Sequence, residues 1–280
     1  MTTGSQRRCA VIGSPVAHSL SPVLHRAAYR AVGLDWSYDV CEVREADLES
    51  FVVGLDERWR GLSLTMPLKR AVVPLADEVS EPARLAQAAN TLILEGSRRL
   101  ADNTDIPGAA AAIRERVAGP VESAVILGGG ATATSVLLAL ADLGCRTCTL
   151  VVRDASRAQD ALAAAGRHPD RPEVVVAGYD AAPTVADILV STIPAHAQAT
   201  LALPLAEQIP VIFDVVYDPW PTALGYYART EGRILVSGMD LLVHQACGQF
   251  TLMTGIEDAP LGVMREAGER ALAERASSQG

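Results

Sequence analysis

The sequence contains few aromatic residues and no long apolar run, and both features limit the structural classes to which the protein can belong. Phe, Trp and Tyr account for 4% of the 280 residues, whereas 49% of the residues are hydrophobic, mainly Ala, Val and Leu. No segment approaches the roughly 20 apolar residues of a transmembrane helix, and the apolar run after Arg7-Arg8 is too short for a signal peptide. We therefore expect a cytoplasmic globular protein with no membrane partner, whose helices pack on a buried parallel sheet.

Cysteines are also scarce. The chain has five, an odd number scattered along its length, which excludes a disulfide framework. Cys145-Arg146-Thr147-Cys148 has the spacing of a redox pair, but it leads into an apolar strand, whereas a reactive pair normally lies at a helix N-terminus. We interpret these two cysteines as small buried residues. Because no further Cys/His cluster completes a zinc site, no metal is expected.

Positive charge is not concentrated anywhere in the chain. The formal net charge is −9, and the longest basic runs are only pairs, such as Arg7-Arg8 and Arg98-Arg99. Proteins that bind nucleic acid usually present a basic face. We therefore expect no nucleic-acid partner.

Short apolar runs alternate with helical patterns along the whole chain, without internal repeats. This alternation predicts βα units and an α/β fold. Residues 1–105 are expected to form an N-terminal α/β lobe with a hairpin of Thr91–Leu94 and Arg98–Ala101, and Ser21 is expected to be the N-cap of its first helix. Residues 106–238 carry about six strands and are expected to form a doubly wound, Rossmann-like domain. The helices in residues 239–280 are expected to return to the first lobe.

A glycine-rich loop follows the apolar strand Val125-Ile126-Leu127. The loop, Gly128-Gly129-Gly130-Ala131-Thr132-Ala133, has the spacing G-x-G-x-x-A and opens directly into a helix. Gly128 permits a tight turn, Gly130 lets the backbone approach a pyrophosphate, and Ala133 allows close packing of helix and strand. Free N–H groups at the helix N-terminus attract phosphates. With a strand before it and a helix after it, the loop predicts a dinucleotide site.

The end of the next strand selects between NAD and NADP. An acidic residue there would bind the ribose 2′-hydroxyl of NAD, but Val152 occupies that position. Arg153 and Arg157 follow, and guanidinium groups suit a 2′-phosphate. Asp154 is the opposing feature, because its carboxylate would repel that phosphate. We expect NADP as the cofactor.

Polar residues gather at the ends of elements in the N-terminal lobe. In open α/β sheets, ligands bind beyond the carboxyl ends of the strands. Hydroxyl, amide, carboxylate and ammonium groups at that edge would suit a polyhydroxylated substrate. These residues are Ser19, Ser21, Thr65, Lys69, Asn90 and Asp105.

Several segments match, in order, those of one known family. They are Gly13-Ser14-Pro15-Val16-Ala17-His18-Ser19-Leu20-Ser21-Pro22, Leu64-Thr65-Met66-Pro67-Leu68-Lys69, Ala89-Asn90-Thr91-Leu92, Asp102-Asn103-Thr104-Asp105, the Gly128 loop, Tyr217 and Gly238-Met239-Asp240-Leu241-Leu242-Val243-His244-Gln245-Ala246. Over nearly its whole length the chain thus resembles the shikimate dehydrogenase family. The resemblance implies an oxidoreductase that reversibly reduces 3-dehydroshikimate to shikimate with NADPH, in the pathway to chorismate and aromatic amino acids. The resemblance leaves open whether the protein forms a homodimer.

The resemblance also implies roles for single residues. Lys69 and Asp105 would be the catalytic pair, in which the lysine transfers the hydroxyl proton while hydride moves to or from the cofactor. Ser19 and Ser21 would bind the substrate carboxylate, and its hydroxyls would be bound by Thr65, Asn90, Asp105, Tyr217 and Gln245. The cofactor would be held by Gly128, Gly129, Gly130, Ala131, Thr132, Arg153 and Arg157, with Val215 and Gly238 beside the nicotinamide. Residues 1–105 would then be the substrate domain and residues 106–238 the NADP domain.

The sequence departs from the family pattern at a few of these positions. Ser63 stands where many members have asparagine, so one substrate contact is expected to be weaker or made through water. Ala131 replaces a common glycine. Val152 and Asp154 replace the usual polar residues beside the arginines, which weakens the case for strict NADP selection.

Two alternatives stay open at this point. The first is a quinate/shikimate dehydrogenase that prefers NAD, and Ser21 argues against it because such relatives commonly carry threonine there. The second is a non-catalytic sensor of a shikimate-type ligand. Such a sensor would be expected to lose the Lys69 and Asp105 pair, and both residues are present.

Overall fold

The structure, a computed structural model, describes residues 6–279 and divides them into two compact units. Residues 6–104 and 245–279 form the first unit, and residues 105–244 form the second. Each unit is built on one six-stranded sheet, which confirms the predicted α/β class. The functional domain bounds expected from the sequence, 1–105, 106–238 and 239–280, stay a prediction.

The strands of the described chain fall into two groups of six. Those of the first unit are β1 (Arg8–Gly13), β2 (Ser37–Glu42), β3 (Trp59–Leu64), β4 (Glu78–Val79), β5 (Thr91–Glu95) and β6 (Arg98–Asp102). Those of the second unit are β7 (Ser123–Leu127), β8 (Thr147–Val151), β9 (Glu173–Ala177), β10 (Ile188–Ser191), β11 (Val211–Asp214) and β12 (Ile234–Ser237).

The helices of the described chain cover both faces of these sheets. They are α1 (Ser21–Ala31), α2 (Leu48–Val53), α3 (Leu68–Ala71), α4 (Glu81–Ala86), α5 (Asp105–Arg116), α6 (Ala131–Asp142), α7 (Gln159–Arg167), α8 (Ala195–Leu201), α9 (Leu203–Ala206), α10 (Ala223–Thr230), α11 (Gly238–Thr254) and α12 (Leu261–Gln279). Short 3₁₀ turns lie at Glu45–Asp47, Val73–Leu75, Ala155–Ala158 and Tyr179–Ala181. Within residues 6–279, no helix is both long enough and apolar enough to span a membrane.

The first unit has a mixed sheet with the strand order β2-β1-β3-β5-β6-β4. Strand β1 is parallel to β2 and β3, whereas β5 is antiparallel to β3 and β6. The β5–β6 pair is the predicted hairpin. Strand β4 was not predicted, because two residues are too few to show a periodic pattern.

Side chains of the first sheet alternate between two helical layers. One face, which includes Ile12, Leu62 and Leu64, packs against the layer of α2, α3 and α4 in an apolar core. The other face lies against α1 and α11, as the contacts of Tyr38 with His25 and of Ser63 with Gln249 show. The second layer is more polar than the first, since Ser21, His25 and Gln249 are buried in it.

Helix α11 from Gln245 onward and helix α12 belong to the first unit, as predicted for the C-terminal helices. Residues from Gln245 onward cluster with it, and α12 packs along α1. The Arg275 guanidinium also donates a hydrogen bond of 2.8 Å to the His18 carbonyl, in the loop before α1. The chain end therefore supports the loop that carries the candidate serines.

The second unit is the predicted doubly wound sheet. Its order is β12-β11-β10-β7-β8-β9, and all neighbouring strands are parallel. The chain starts at β7 in the centre, moves outward through β8 and β9, and returns to β10 on the other side of β7. The switch point therefore lies between β7 and β10, which is where such sheets bind ligands. Val125, Ile126 and Leu127 of β7 are buried on both faces, which explains their unbroken apolar run.

Candidate functional site

Ser19 and Ser21 lie together at the start of α1. The Ser21 amide donates a 3.2 Å hydrogen bond to the Ser19 hydroxyl oxygen. The prediction that Ser21 is the N-cap is wrong, because Leu20 already has helical backbone angles and takes that position without a side-chain cap. A turn in which the Ser19 amide bonds to the Val16 carbonyl starts the helix one residue early. The buried Ser21 hydroxyl is therefore not used as a cap and lies within hydrogen-bond reach of the Tyr38 hydroxyl.

Thr65 and Lys69 follow β3 in a single tight turn. The Thr65 amide bonds to the Ile12 carbonyl at 3.0 Å, and the Thr65 carbonyl accepts the Leu68 amide, which starts α3. Lys69 is half-buried, and its backbone carbonyl accepts a hydrogen bond of 2.7 Å from the Ala89 amide. Lys69 is thereby tied to the segment that ends in Asn90. Gly13, at the end of β1, lets Thr65 pack closely against the backbone, because a Cβ on Gly13 would lie 2.4 Å from the Thr65 methyl group.

Asn90 and Gln245 meet in the first unit although 155 residues separate them, with 3.2 Å between Asn90 Nδ2 and Gln245 Oε1. Thr104 completes the cluster. Its amide donates to Asn90 Oδ1 at 2.8 Å, and its hydroxyl donates to the Gln245 carbonyl at 2.9 Å. Asn90 is 2% exposed and Gln245 8% exposed. Two predicted substrate residues thus share one buried network, to which Thr104, quoted only as part of a motif, is central.

The glycine loop in the second unit is shaped by contacts that exclude side chains. Gly128 has a positive φ of 111°, and a Cβ there would lie 2.3 Å from the Thr192 hydroxyl, which follows β10. A Cβ on Gly129 would lie 2.3 Å from the Arg157 carbonyl oxygen. The first two glycines are therefore required by the protein itself, since β10 and the turn after β8 both press against the loop.

Gly130 differs from its two neighbours because a Cβ there would meet nothing within 4 Å. Gly130 is the N-cap of α6 and contributes no side-chain cap. Helix α6 begins at Ala131, so Ala131 and Thr132 supply N–H groups of its first turn. Such groups attract anions. The open space at Gly130 and the uncapped helix start fit a phosphate group.

The turn after β8 places Arg153, Asp154 and Arg157 in solvent. Asp154 Oδ1 accepts the Ser156 amide at 2.9 Å and caps the 3₁₀ turn. This backbone hydrogen bond, with a smaller contribution from the Arg157 charge, holds the pKa of the Asp154 carboxyl below its usual range. The carboxylate thus has a structural role, and both guanidinium groups are exposed on the same turn.

A buried carboxylate that sequence reasoning missed organises the chain after β11. Asp214 accepts hydrogen bonds from the Gln198 amide at 2.9 Å, from the Val216 backbone amide at 3.2 Å and from the Thr222 hydroxyl. Burial raises the pKa of this carboxyl, and those hydrogen bonds lower it in part. Tyr217 follows and is half-buried. The only sequence signal was an acidic residue that ends an otherwise apolar strand.

Val215 and Gly238 approach each other so closely that a Cβ on Gly238 would lie 2.5 Å from the Val215 carbonyl oxygen. A capping box holds Gly238 in place. The Ser237 amide donates to Asp240 Oδ2 at 2.9 Å, and the Asp240 amide donates back to the Ser237 hydroxyl at 3.2 Å. The two residues predicted to lie beside the nicotinamide are thus neighbours at the ends of β11 and β12.

Asp105 is the first residue of α5 and belongs to the second unit, where its side chain is 6% exposed. Lys69, its predicted partner, belongs to the first unit. Among residues 6–279, no group of three or more His, Cys, Asp or Glu side chains is arranged to hold a metal ion.

Comparison with known proteins identifies relatives along almost the whole chain. Residues 11–92 match the family described as shikimate dehydrogenase substrate binding domain, and residues 238–267 match the shikimate 5′-dehydrogenase C-terminal domain. A Synechocystis protein named shikimate dehydrogenase (NADP(+)) is 33% identical, and the match covers 95% of this chain and 96% of the relative.

Solved structures give the same result. The chain is 40% identical to Mycobacterium tuberculosis shikimate dehydrogenase, with a TM-score of 0.86 over 94% of this chain and 99% of that one. It is 28% identical to Thermus thermophilus shikimate 5-dehydrogenase in complex with NADP(H) and shikimate, with a TM-score of 0.81 over 95% of this chain and 100% of that one.

Proposed function

Because the chain belongs to the shikimate dehydrogenase family, we propose that it catalyses the reversible NADPH-dependent reduction of 3-dehydroshikimate to shikimate. This reaction is a step towards chorismate and the aromatic amino acids. The curated relatives are named as NADP(+) enzymes. The cytoplasm is the proposed location.

The residues of the second unit fit NADP. Gly130 leaves room beside the uncapped start of α6, where a pyrophosphate would accept hydrogen bonds from backbone N–H groups. Gly238 lets its backbone lie close to the Val215 carbonyl. Asp154 is held by the Ser156 amide as the cap of its own turn, and because this bond lowers its pKa the carboxylate stays charged and still opposes a 2′-phosphate. Arg153 and Arg157 would hold that phosphate. When bound, NADPH supplies the hydride, and the oxidised cofactor accepts it in the reverse direction.

The observation that supports the chemistry is that Lys69 is the only lysine in the chain, beside 23 arginines. Arginine serves at every other basic position, and a guanidinium cannot release its proton near neutral pH. An ammonium group can bind or release a proton, which alcohol oxidation requires. We infer that Lys69 transfers the proton of the substrate hydroxyl, with Asp105 as its partner.

The other substrate contacts follow from the polar groups of the first unit. Ser19 and Ser21 would bind the substrate carboxylate, since the Ser21 hydroxyl is not used as a helix cap. Thr65, Asn90 and Gln245 would bind ring hydroxyls. In the Asn90–Gln245 pair, a substrate hydroxyl would take over the hydrogen bond that the two amides now share. Tyr217 is the proposed contact from the second unit.

Lys69→Ala and Lys69→Arg test this mechanism together. Positioned proton transfer contributes about 10²–10⁴-fold to rate, so both variants should lose that much kcat, although the arginine variant keeps the positive charge. Arg70→Ala, at the next position, is the matched control and should retain kcat within about threefold. Turnover near wild type in Lys69→Arg would show that charge alone suffices and would refute proton transfer by Lys69.

The substrate and cofactor are tested by initial rates with shikimate and quinate, each with NADP and NAD. The proposal expects shikimate with NADP to be the fastest combination. Faster oxidation of quinate with NAD would favour the quinate/shikimate alternative. Binding of shikimate without any change in nicotinamide absorbance would favour a ligand sensor. Light scattering of the purified protein distinguishes a homodimer from a single chain.

A further inference from the structure

A chain of buried polar side chains lies beneath Asn90 in the first unit, and Gln249 is its centre. Gln249 is 1% exposed and comes from α11, one turn after Gln245. Its Nε2 donates to the Asn90 carbonyl at 2.8 Å and to the Thr91 hydroxyl at 3.1 Å. Its Oε1 accepts the Ser63 hydroxyl at 2.8 Å. A single amide therefore ties β3 and β5 to α11.

One group that can only accept a hydrogen bond determines the direction of the hydrogen bonds from Gln249 to Tyr38. The Asn90 carbonyl has no proton, so Gln249 must present its Nε2 there and its Oε1 to Ser63. Ser63 must then donate its only proton to Gln249, and the Tyr38 hydroxyl donates to Ser63 at 2.5 Å. Burial raises the pKa of Tyr38, which keeps this phenol protonated. Ser63 consequently has no proton left to donate to a substrate.

The same amide supports one of the two hydrogen bonds that orient the Asn90 side chain. Because the Thr91 hydroxyl accepts from Gln249, its own proton is available for Asn90 Oδ1, at 2.9 Å. The Thr104 amide also donates to Oδ1. The Nδ2 group of Asn90 must therefore face the other way, towards the Thr104 hydroxyl and Gln245 Oε1.

We propose that Gln249 is a positioning residue of the substrate subsite, which orients the Asn90 amide through its bonds to the Asn90 carbonyl and the Thr91 hydroxyl. The inference rests on the proposed function in that Asn90 is taken to bind substrate. It also gives a physical account of Ser63. At this position the side chain supports Gln249 from below and does not act as a substrate donor.

Two near-isosteric substitutions test the role of Gln249. Gln249→Met removes the amide, and Thr91→Val removes only the hydroxyl that links Gln249 to Asn90 Oδ1. A hydrogen bond lost from a buried network typically costs enough free energy to change an equilibrium about tenfold. We expect each variant to raise the KM for shikimate about tenfold while kcat changes less than about threefold and the KM for NADP less than about twofold. The double variant should raise the KM for shikimate no further than the larger single effect, because both act through Asn90.

Two controls separate positioning from general destabilisation. Val52→Ala removes buried apolar volume on the opposite face of the sheet, in the core with Leu62 and Leu64. It should lower the thermal midpoint without changing the KM for shikimate. Ser63→Ala removes the donor to Gln249 Oε1 and should raise that KM less than Gln249→Met does, because both hydrogen bonds from Gln249 Nε2 remain.

The outcomes distinguish this inference from the proposed function. If the wild-type protein does not oxidise shikimate, the proposed function fails. If the wild type is active but Gln249→Met and Thr91→Val both keep its KM for shikimate within about twofold, the positioning role is overturned. The same holds if Val52→Ala raises that KM as much as they do. Should Gln249→Met not fold, Thr91→Val alone decides.

Discussion

The contact between Gly129 and the turn after β8 leads to a quantitative prediction for Gly129→Ala. The added Cβ would start 2.3 Å from the Arg157 carbonyl oxygen and 2.8 Å from its carbon, whereas real Cβ contacts essentially never fall below 3.0 Å. The turn Ala155–Ala158 must therefore move by about 0.7 Å, the difference between 2.3 Å and 3.0 Å. The Cβ is attached directly to the Gly129 backbone, and the two Arg157 atoms are themselves backbone atoms, so no side-chain rotation can relieve the clash.

The expected cost follows from overpacking, which typically destabilises by about 1–3 kcal/mol. For a unit of the size of residues 105–244 this lowers the thermal midpoint by roughly 4 °C per kcal/mol, hence by about 4–12 °C. The same shift displaces the Arg157 guanidinium. We therefore expect the KM for NADP to rise about tenfold, while the KM for shikimate changes little.

Gly130→Ala is the matched control, since its Cβ meets nothing within 4 Å and its backbone is ordinary for alanine. Without cofactor its thermal midpoint should stay within about 2 °C of wild type. Its KM for NADP should nevertheless rise, because the new methyl group occupies the space proposed for the pyrophosphate. Thermal unfolding without cofactor, with hydrogen exchange followed in residues 126–134 and 153–160, separates the two effects. An unchanged midpoint and unchanged exchange in Gly129→Ala would refute the reasoning.

Two further predictions concern charge. Arg157→Ala should raise the KM for NADP by about 10-fold or more but leave the KM for NAD nearly unchanged, since a charge-assisted hydrogen bond contributes about 1.5–3 kcal/mol; equal changes for both cofactors would contradict a role at the 2′-phosphate. Burial lowers the pKa of His25 to about 3, partly opposed by Gln249, and neither ring nitrogen has a hydrogen-bond partner within residues 6–279. The unfolded chain, with a His pKa near 6.5, binds the proton first as pH falls, so stability is complete above pH 6.5 and is lost towards pH 3 by up to about 1.4 kcal/mol per unit. His25→Phe, which keeps the ring stacked on Tyr38, should remove this part of the slope in urea unfolding measured between pH 7 and pH 5, and an identical slope in both proteins would show that His25 does not titrate this way.

Much of the architecture could be predicted because its signals are local. The apolar run of β7, the glycines after it and the helix that follows span fewer than 20 residues, and each reflects the conformation of its own segment. The β5–β6 hairpin was equally accessible. The two-residue strand β4 was missed because it has no periodicity of its own, and Ser21 was misplaced as N-cap because a preceding turn had already made Leu20 helical.

The candidate site divides in the same way. Sequence alone supplied the motif residues, and the presence of a single lysine among 24 basic residues is a sequence property that singles out Lys69 for proton transfer. The role of Gln249 could not be predicted from the sequence, because nothing near it in the chain indicates that its side-chain amide donates a hydrogen bond to the Asn90 carbonyl, 159 positions away. Asp214 was missed for a similar reason, since it ends strand β11 whereas its partner Gln198 comes from helix α8.

The sequence by itself determined which chemistry is present: a glycine turn before a helix, arginines at the next strand end, and one lysine. Only the tertiary structure decided which groups remain available for ligands. It assigned Asp154 to the cap of its own turn, Ser63 to Gln249, and Gly129 to the Arg157 carbonyl, while it left Gly130 open. The physical reason is that conformational preference is set by neighbours in the chain, whereas buried polar groups must find partners wherever distant elements cross.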